Sequence, residues 1–215
     1  MSTPLRPAAA CLTRASITSS LKVELRRLTR SGLGLGVLVG FAFFGLSGPV
    51  LSIYMPEILG AAASTDQLAI SASQATPADA ISLFNQSAMQ LGLIVTVAVA
   101  ITSIGWDTRP GSSIFYRTRV HRLSTVLLPR LIIDWLIALA TYSCGLLLAV
   151  VVTASAIGRP PAGMVVSTWI ACGLYIVMAM SIGHLIAASL RRTTTAIALT
   201  TLLVLVLPVM NQVPG

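Results

Sequence analysis

From Leu33 onward the chain is written as long apolar runs broken by shorter polar ones. Five runs, at about 33–53, 86–106, 131–157, 164–189 and 194–210, have the length that crosses a bilayer as a helix. The expected fold is therefore all-α: a polytopic transmembrane helix bundle of about five spans. The last run, near 194–210, is only just long enough. The third holds an acid, Asp134, near its start, and Trp106 closes the second where an aromatic belt residue belongs.

The polar intervals differ from one another. Residues 1–16, with Pro4, Pro7, Arg6 and Arg14, lack an apolar core and predict a flexible tail in place of a cleaved signal peptide. In 17–30, Ile17, Leu21, Leu25 and Leu28 recur at three- and four-residue intervals, with Lys22, Glu24, Arg26, Arg27 and Arg30 on the other faces. This pattern predicts an amphipathic helix lying on an anionic membrane surface, or else a polar extension of the first span. Residues 54–84 are the longest polar interval, holding Glu57, Asp66 and Asp79 and no base; Met55, Ile58 and Leu59 suit a short interfacial helix. Residues 107–130 carry Arg109, Arg117, Arg119, Arg122 and Arg130.

Charge orients this pattern. With the amino terminus inside, every basic residue except Arg159 lies in an inside segment, which is the arrangement the positive-inside rule selects. Five spans then place the carboxyl terminus outside. The composition agrees with burial in lipid: 55% of residues are hydrophobic, only 9% are charged, and mean hydropathy is +0.89. The net charge of +8 thus reads as topology, and no nucleic-acid motif accompanies it. The alanine- and arginine-rich, lysine-poor usage suits a GC-rich bacterial genome and hence a plasma (inner) membrane.

Few residues suggest chemistry. Lys22 is the sole lysine and no Gly-Lys-Ser/Thr phosphate loop surrounds it, so ATP hydrolysis is not expected in this chain. Cys11, Cys144 and Cys172 form no CxxC, and neither a disulfide nor a metal site is expected. No cofactor is implied. His121 and His184 each stand alone, where packing or hydrogen bonding outweighs ligation. Gly32, Gly36 and Gly40, four apart, predict a helix packing face. Asp134 either pairs with Arg130 one turn earlier or serves proton or ion coupling, since intramembrane carboxylates are costly.

At 107–130 the chain resembles the type-2 membrane permeases of ATP-binding-cassette exporters. Their pattern is an elbow helix, matched by 17–30, then an acid at the cytoplasmic end of span two, a Gly-Ser/Thr segment, and a short helix with a basic residue. Asp107, Gly111, Ser112, Ser113, His121 and Arg122 follow that order, with Asp107 where the family usually has glutamate. The resemblance covers about residues 17–212. It implies that this loop, with Arg117 and Arg119 inside it, docks on a separate ATPase subunit. It further implies that the permease works as a homo- or heterodimer, exporting a hydrophobic or amphipathic substrate such as a drug, lipid or peptide. The family has six spans, so a sixth helix is absent here, supplied by a partner or lost from this version of the sequence. Two other readings stand beside it: a non-transporting assembly or regulatory subunit, and an ion-coupled carrier using Asp134.

Overall fold

A computed structural model describes residues 22, 25, 26, 30, 32–66, 75–104, 124–190 and 192–210. The described residues are helical apart from short connections. We number the helices α1 (Leu33–Asp66), α2 (Pro77–Ser87, a π turn Ala88–Gly92, then Leu93–Ile104), α3 (Ser124–Ala156), α4 (Ala162–Leu190) and α5 (Thr193–Met210). Four stretches, Leu33–Ile58, Pro77–Ser103, Leu127–Ala156 and Ala162–Leu190, are long and apolar enough to cross a membrane. The chain is a multi-pass membrane protein with an all-α bundle. The fifth expected span is α5, which at 18 residues is the shortest of the five helices.

Several helices outrun the apolar runs that predict them. α1 has 34 residues, about 51 Å at 1.5 Å per residue, and takes in 54–66, the first part of the expected polar interval 54–84, with Met55, Ile58 and Leu59. It passes through Pro49 and Pro56. Each proline removes one backbone donor, and Ser52 Oγ donates to the Pro49 carbonyl at 2.8 Å nearby. α2 begins at Pro77, nine residues before the expected span, because Thr76 and Asp79 form a capping box. The Asp79 amide donates to Thr76 Oγ1 at 3.3 Å, while the Thr76 amide donates to Asp79 Oδ2 at 3.1 Å. α3 likewise starts at Ser124, ahead of the 131 expected. Hydropathy measures the thickness of the lipid slab, whereas a helix stops where its backbone donors and acceptors find caps.

The connections are short and locally determined. After α3, the Ile157 and Gly158 amides both donate to the Thr153 carbonyl, and Gly158 has φ +143°, a conformation that a β-carbon disfavours. Arg159, Pro160 and Pro161 follow and α4 begins. At the α4–α5 turn the Ala196 amide and Thr195 Oγ1 both donate to the Arg192 carbonyl, which seats the first turn of α5.

The described residues fall into two compact units, one drawn from 1–35, 97–137 and 180–215, the other from 36–96 and 138–179. In the second unit, glycines bring backbones together. A β-carbon added at Gly48 would lie 2.8 Å from the Phe84 backbone, and one at Gly145 would lie 2.7 Å from the Phe41 carbonyl oxygen. One added at Gly92 would meet the Phe41 ring at 2.9 Å. Tyr142 fills the centre of this unit, edge-on to Phe41 at 6.0 Å and stacked on Phe84 at 5.9 Å.

Candidate functional site

The first unit contains the one buried acid among the described residues. Its described parts of α2 to α5 hold three ionisable side chains within helix, Arg130 and Asp134 on α3 and His184 on α4; α5 and the α2 portion 97–104 hold none. Asp134 and His184 are 5% and 6% exposed. A carboxylate so placed needs partners, because burying an unpaired charge is costly. The first is Ser103, in the last full turn of α2, whose hydroxyl donates to Asp134 Oδ2 at 2.6 Å. The same hydroxyl lies 2.8 Å from the Ala100 carbonyl, so its single proton has two acceptors. His184 Nε2 stands 3.7 Å from Asp134 Oδ2, too far for a hydrogen bond, and neither ring nitrogen has a hydrogen-bond partner among the described residues.

Arg130 does not take the expected role. One turn before Asp134, its Nη1 donates to the Ser103 backbone carbonyl at 3.4 Å, and the carboxylate is met by Ser103 and His184 instead. Ser103 is therefore held twice by α3, at its hydroxyl by Asp134 and at its carbonyl by Arg130. Spacing along one helix suggested the Arg130–Asp134 pair; a neighbour 31 residues away decides otherwise.

The chemistry open to this group is limited. The hydroxyl is bonded to the carboxylate and not to the imidazole, which is not the nucleophile–base–orienter order of a serine hydrolase. Asp134 and His184 are two potential metal donors, and no third His, Cys, Asp or Glu joins them among the described residues. What the group does is fasten. It ties the end of α2 to the start of α3, the two helices that flank residues 105–123.

A second polar group sits in the other unit. Tyr142 Oη donates to Asn85 Oδ1 at 2.9 Å, and Cys172 Sγ approaches the same oxygen at 3.9 Å. The Trp169 indole donates to Ser143 Oγ at 2.8 Å. These bonds join α2, α3 and α4 around the Tyr142 ring and satisfy polar atoms that lipid would leave unpaired.

Of the residues that the sequence singled out, Asp107, Gly111, Ser112, Ser113, Arg117, Arg119, His121 and Arg122 lie outside the described residues. So does most of the amphipathic 17–30 segment, of which Lys22, Leu25, Arg26 and Arg30 are helical and exposed. Among the described residues nothing packs on the expected glycine face. Gly32 has φ +70° and precedes α1, and a β-carbon added at Gly36 or Gly40 meets nothing within 4 Å among the described residues. The close-approach glycines are Gly45, Gly48, Gly92 and Gly145. Repetition every four residues marks a stripe but does not say whether a neighbour lies on it.

No family model, curated protein or solved structure matches the chain.

Proposed function

We propose that the chain is the membrane-spanning permease subunit of an ATP-binding-cassette exporter, moving a hydrophobic or amphipathic substrate with ATP hydrolysed by a separate subunit. The observation that carries this reading is the double hold on Ser103. A basic segment, 107–122, is flanked by two helices whose ends are bonded together by Asp134 and Arg130. Helices so bonded move together, and a docking partner that favours different states before and after hydrolysis can therefore shift the bundle. The order of Asp107, Gly111, Ser112, Ser113, His121 and Arg122 within it supports the same reading. The amino terminus and this segment are cytoplasmic, following the placement of basic residues, and the membrane is the plasma membrane. The chain works as one half of a permease pair.

The test is affinity purification of the tagged full chain from its native membrane in mild detergent. A Walker-motif ATPase should co-purify in about equal amount. If the chain returns alone, or with membrane proteins and no ATPase, the reading fails.

One observation favours a second reading, an ion-coupled carrier: Asp134 is buried against a histidine that makes no hydrogen bond among the described residues. Asp134→Asn that abolishes substrate movement while sparing assembly, in a preparation free of ATPase, would establish it.

A further inference from the structure

Along α2 the exposed residues include Ser82, Gln86 and Gln90, spaced four apart and thus on one face. Contacts within the unit fix the depth of this face. α1 and α2 run antiparallel there, with Gly48 against Phe84 and Phe41 against Gly92. That register sets Gln90 level with Phe43, the middle of the apolar run 33–53, and Gln86 one turn away. Two amides thus stand at membrane depth on the outside of the chain.

Ser82 is satisfied locally, donating to the Asp79 carbonyl at 2.8 Å. Among the described residues, neither glutamine amide has a hydrogen-bond partner. Lipid tails offer none, and polar side chains inside membranes face other helices or enclosed water. The π turn Ala88–Gly92 falls at the same place, with Gln90 inside it. Such insertions, which cost helix stability, recur at functional positions.

We infer that this face of α2 is the contact with a second copy of the chain, Gln90 bonding to Gln90 and Gln86 to Gln86 about a two-fold axis along the membrane normal. Two copies of one chain share an orientation in the bilayer, so residues at equal depth meet. A glutamine amide both donates and accepts, and is therefore complementary to itself where a lysine or aspartate would repel its copy. This deepens the proposed function, which calls for a permease pair, by naming the partner as the same chain and the surface as α2. Leu91 and Val95, exposed on another side of the same helix, lie off the contact.

The experiment uses the full chain in lipid vesicles without any ATPase, so loss of the pair and loss of ATPase coupling are separate results. With Cys11→Ala, Cys144→Ala and Cys172→Ser as background, Gln86→Cys, Gln90→Cys, Leu91→Cys and Val95→Cys are oxidised with copper phenanthroline. Disulfide-linked dimer should form at least tenfold faster from the two glutamine positions than from the other two. Equal rates at all four, or no dimer at 86 and 90, overturn the inference. Rapid labelling at 86 and 90 by a membrane-impermeant maleimide without dimer formation also overturns it, in favour of a water-filled pathway. Native cysteines retained, energy transfer between dye-labelled chains should report dimers. Gln86→Leu with Gln90→Leu should weaken them roughly tenfold, about threefold for each interhelical hydrogen bond lost. An unchanged dimer in that double variant overturns the inference as well.

Discussion

Gly145→Leu prevents the second unit from assembling, whereas Gly40→Leu leaves it intact. Both glycines lie within membrane-spanning helices, and the sequence singles out Gly40 and not Gly145. The difference is in what each would strike. A β-carbon on Gly145 lies 2.7 Å from the Phe41 carbonyl oxygen and 3.0 Å from the Phe41 β-carbon, neither of which can swing away. At Gly40 nothing is within 4 Å among the described residues. Overpacking a fitted core costs about 1–3 kcal/mol where the surroundings can yield. At Gly145 the obstacle is backbone, and α1 itself must move away from α3. Gly145→Ala should lose about 2 kcal/mol on that scale, and Gly145→Leu should fail to accumulate as folded protein. Gly40→Ala should be neutral or slightly stabilising, since alanine favours helix over glycine by up to about 1 kcal/mol. Unfolding of the purified chain in mixed micelles of rising dodecyl sulfate content, followed by circular dichroism, measures both. Equal losses at the two positions would show that the α1–α3 contact is not as described.

Asp134→Leu is expected to cost about as much, for a different reason. Its carboxylate is the acceptor for Ser103 Oγ and the neighbour of a buried imidazole with no hydrogen bond of its own. Leucine fills similar space but removes this acceptor, leaving the Ser103 hydroxyl only the Ala100 carbonyl, a loss of about 1.5 kcal/mol. Asp134→Asn retains an acceptor for the Ser103 hydroxyl and should lose about 1 kcal/mol or less on the same scale. Ser103→Thr retains the hydroxyl and should be tolerated if its extra methyl group is. The same denaturation measurement ranks them, with Asp134→Leu well below Asp134→Asn. If leucine matched asparagine, the Ser103–Asp134 bond would carry no weight in the fold.

The bundle was legible from apolar run length, because the lipid slab imposes that length on any helix that crosses it. Helix ends were less so. Thr76 and Asp79 carry a capping signal readable in the sequence, but the polar interval 54–84 sets the expected span at about 86, nine residues after the helix begins. The extension of α1 through Pro49 and Pro56 runs against the usual meaning of proline, which rests on backbone donors that water would otherwise claim. Asp134 was recognised as unusual from its place in an apolar run, but its partner was sought four residues away. Ser103 is 31 residues distant and polar in a way that many membrane serines are, so nothing local announced it. Asn85 and Tyr142, 57 residues apart, were missed for the same reason. Residues 107–122, which carry the resemblance to exporter permeases, lie outside the described residues. Their role rests on the order of their side chains and on the bonded helix ends that flank them.

The central claim is that these residues couple the bundle to an ATPase, and replacing Arg117, Arg119 and Arg122 together by glutamine tests it most directly. In membranes holding the chain together with an ATPase found to co-purify with it, substrate-stimulated ATP hydrolysis should fall at least tenfold in the triple variant. Circular dichroism should be unaffected, since the Ser103–Asp134 tie uses none of the three arginines. Hydrolysis that remains fully coupled to substrate in the triple variant, with the ATPase still bound in equal amount, would contradict the claim.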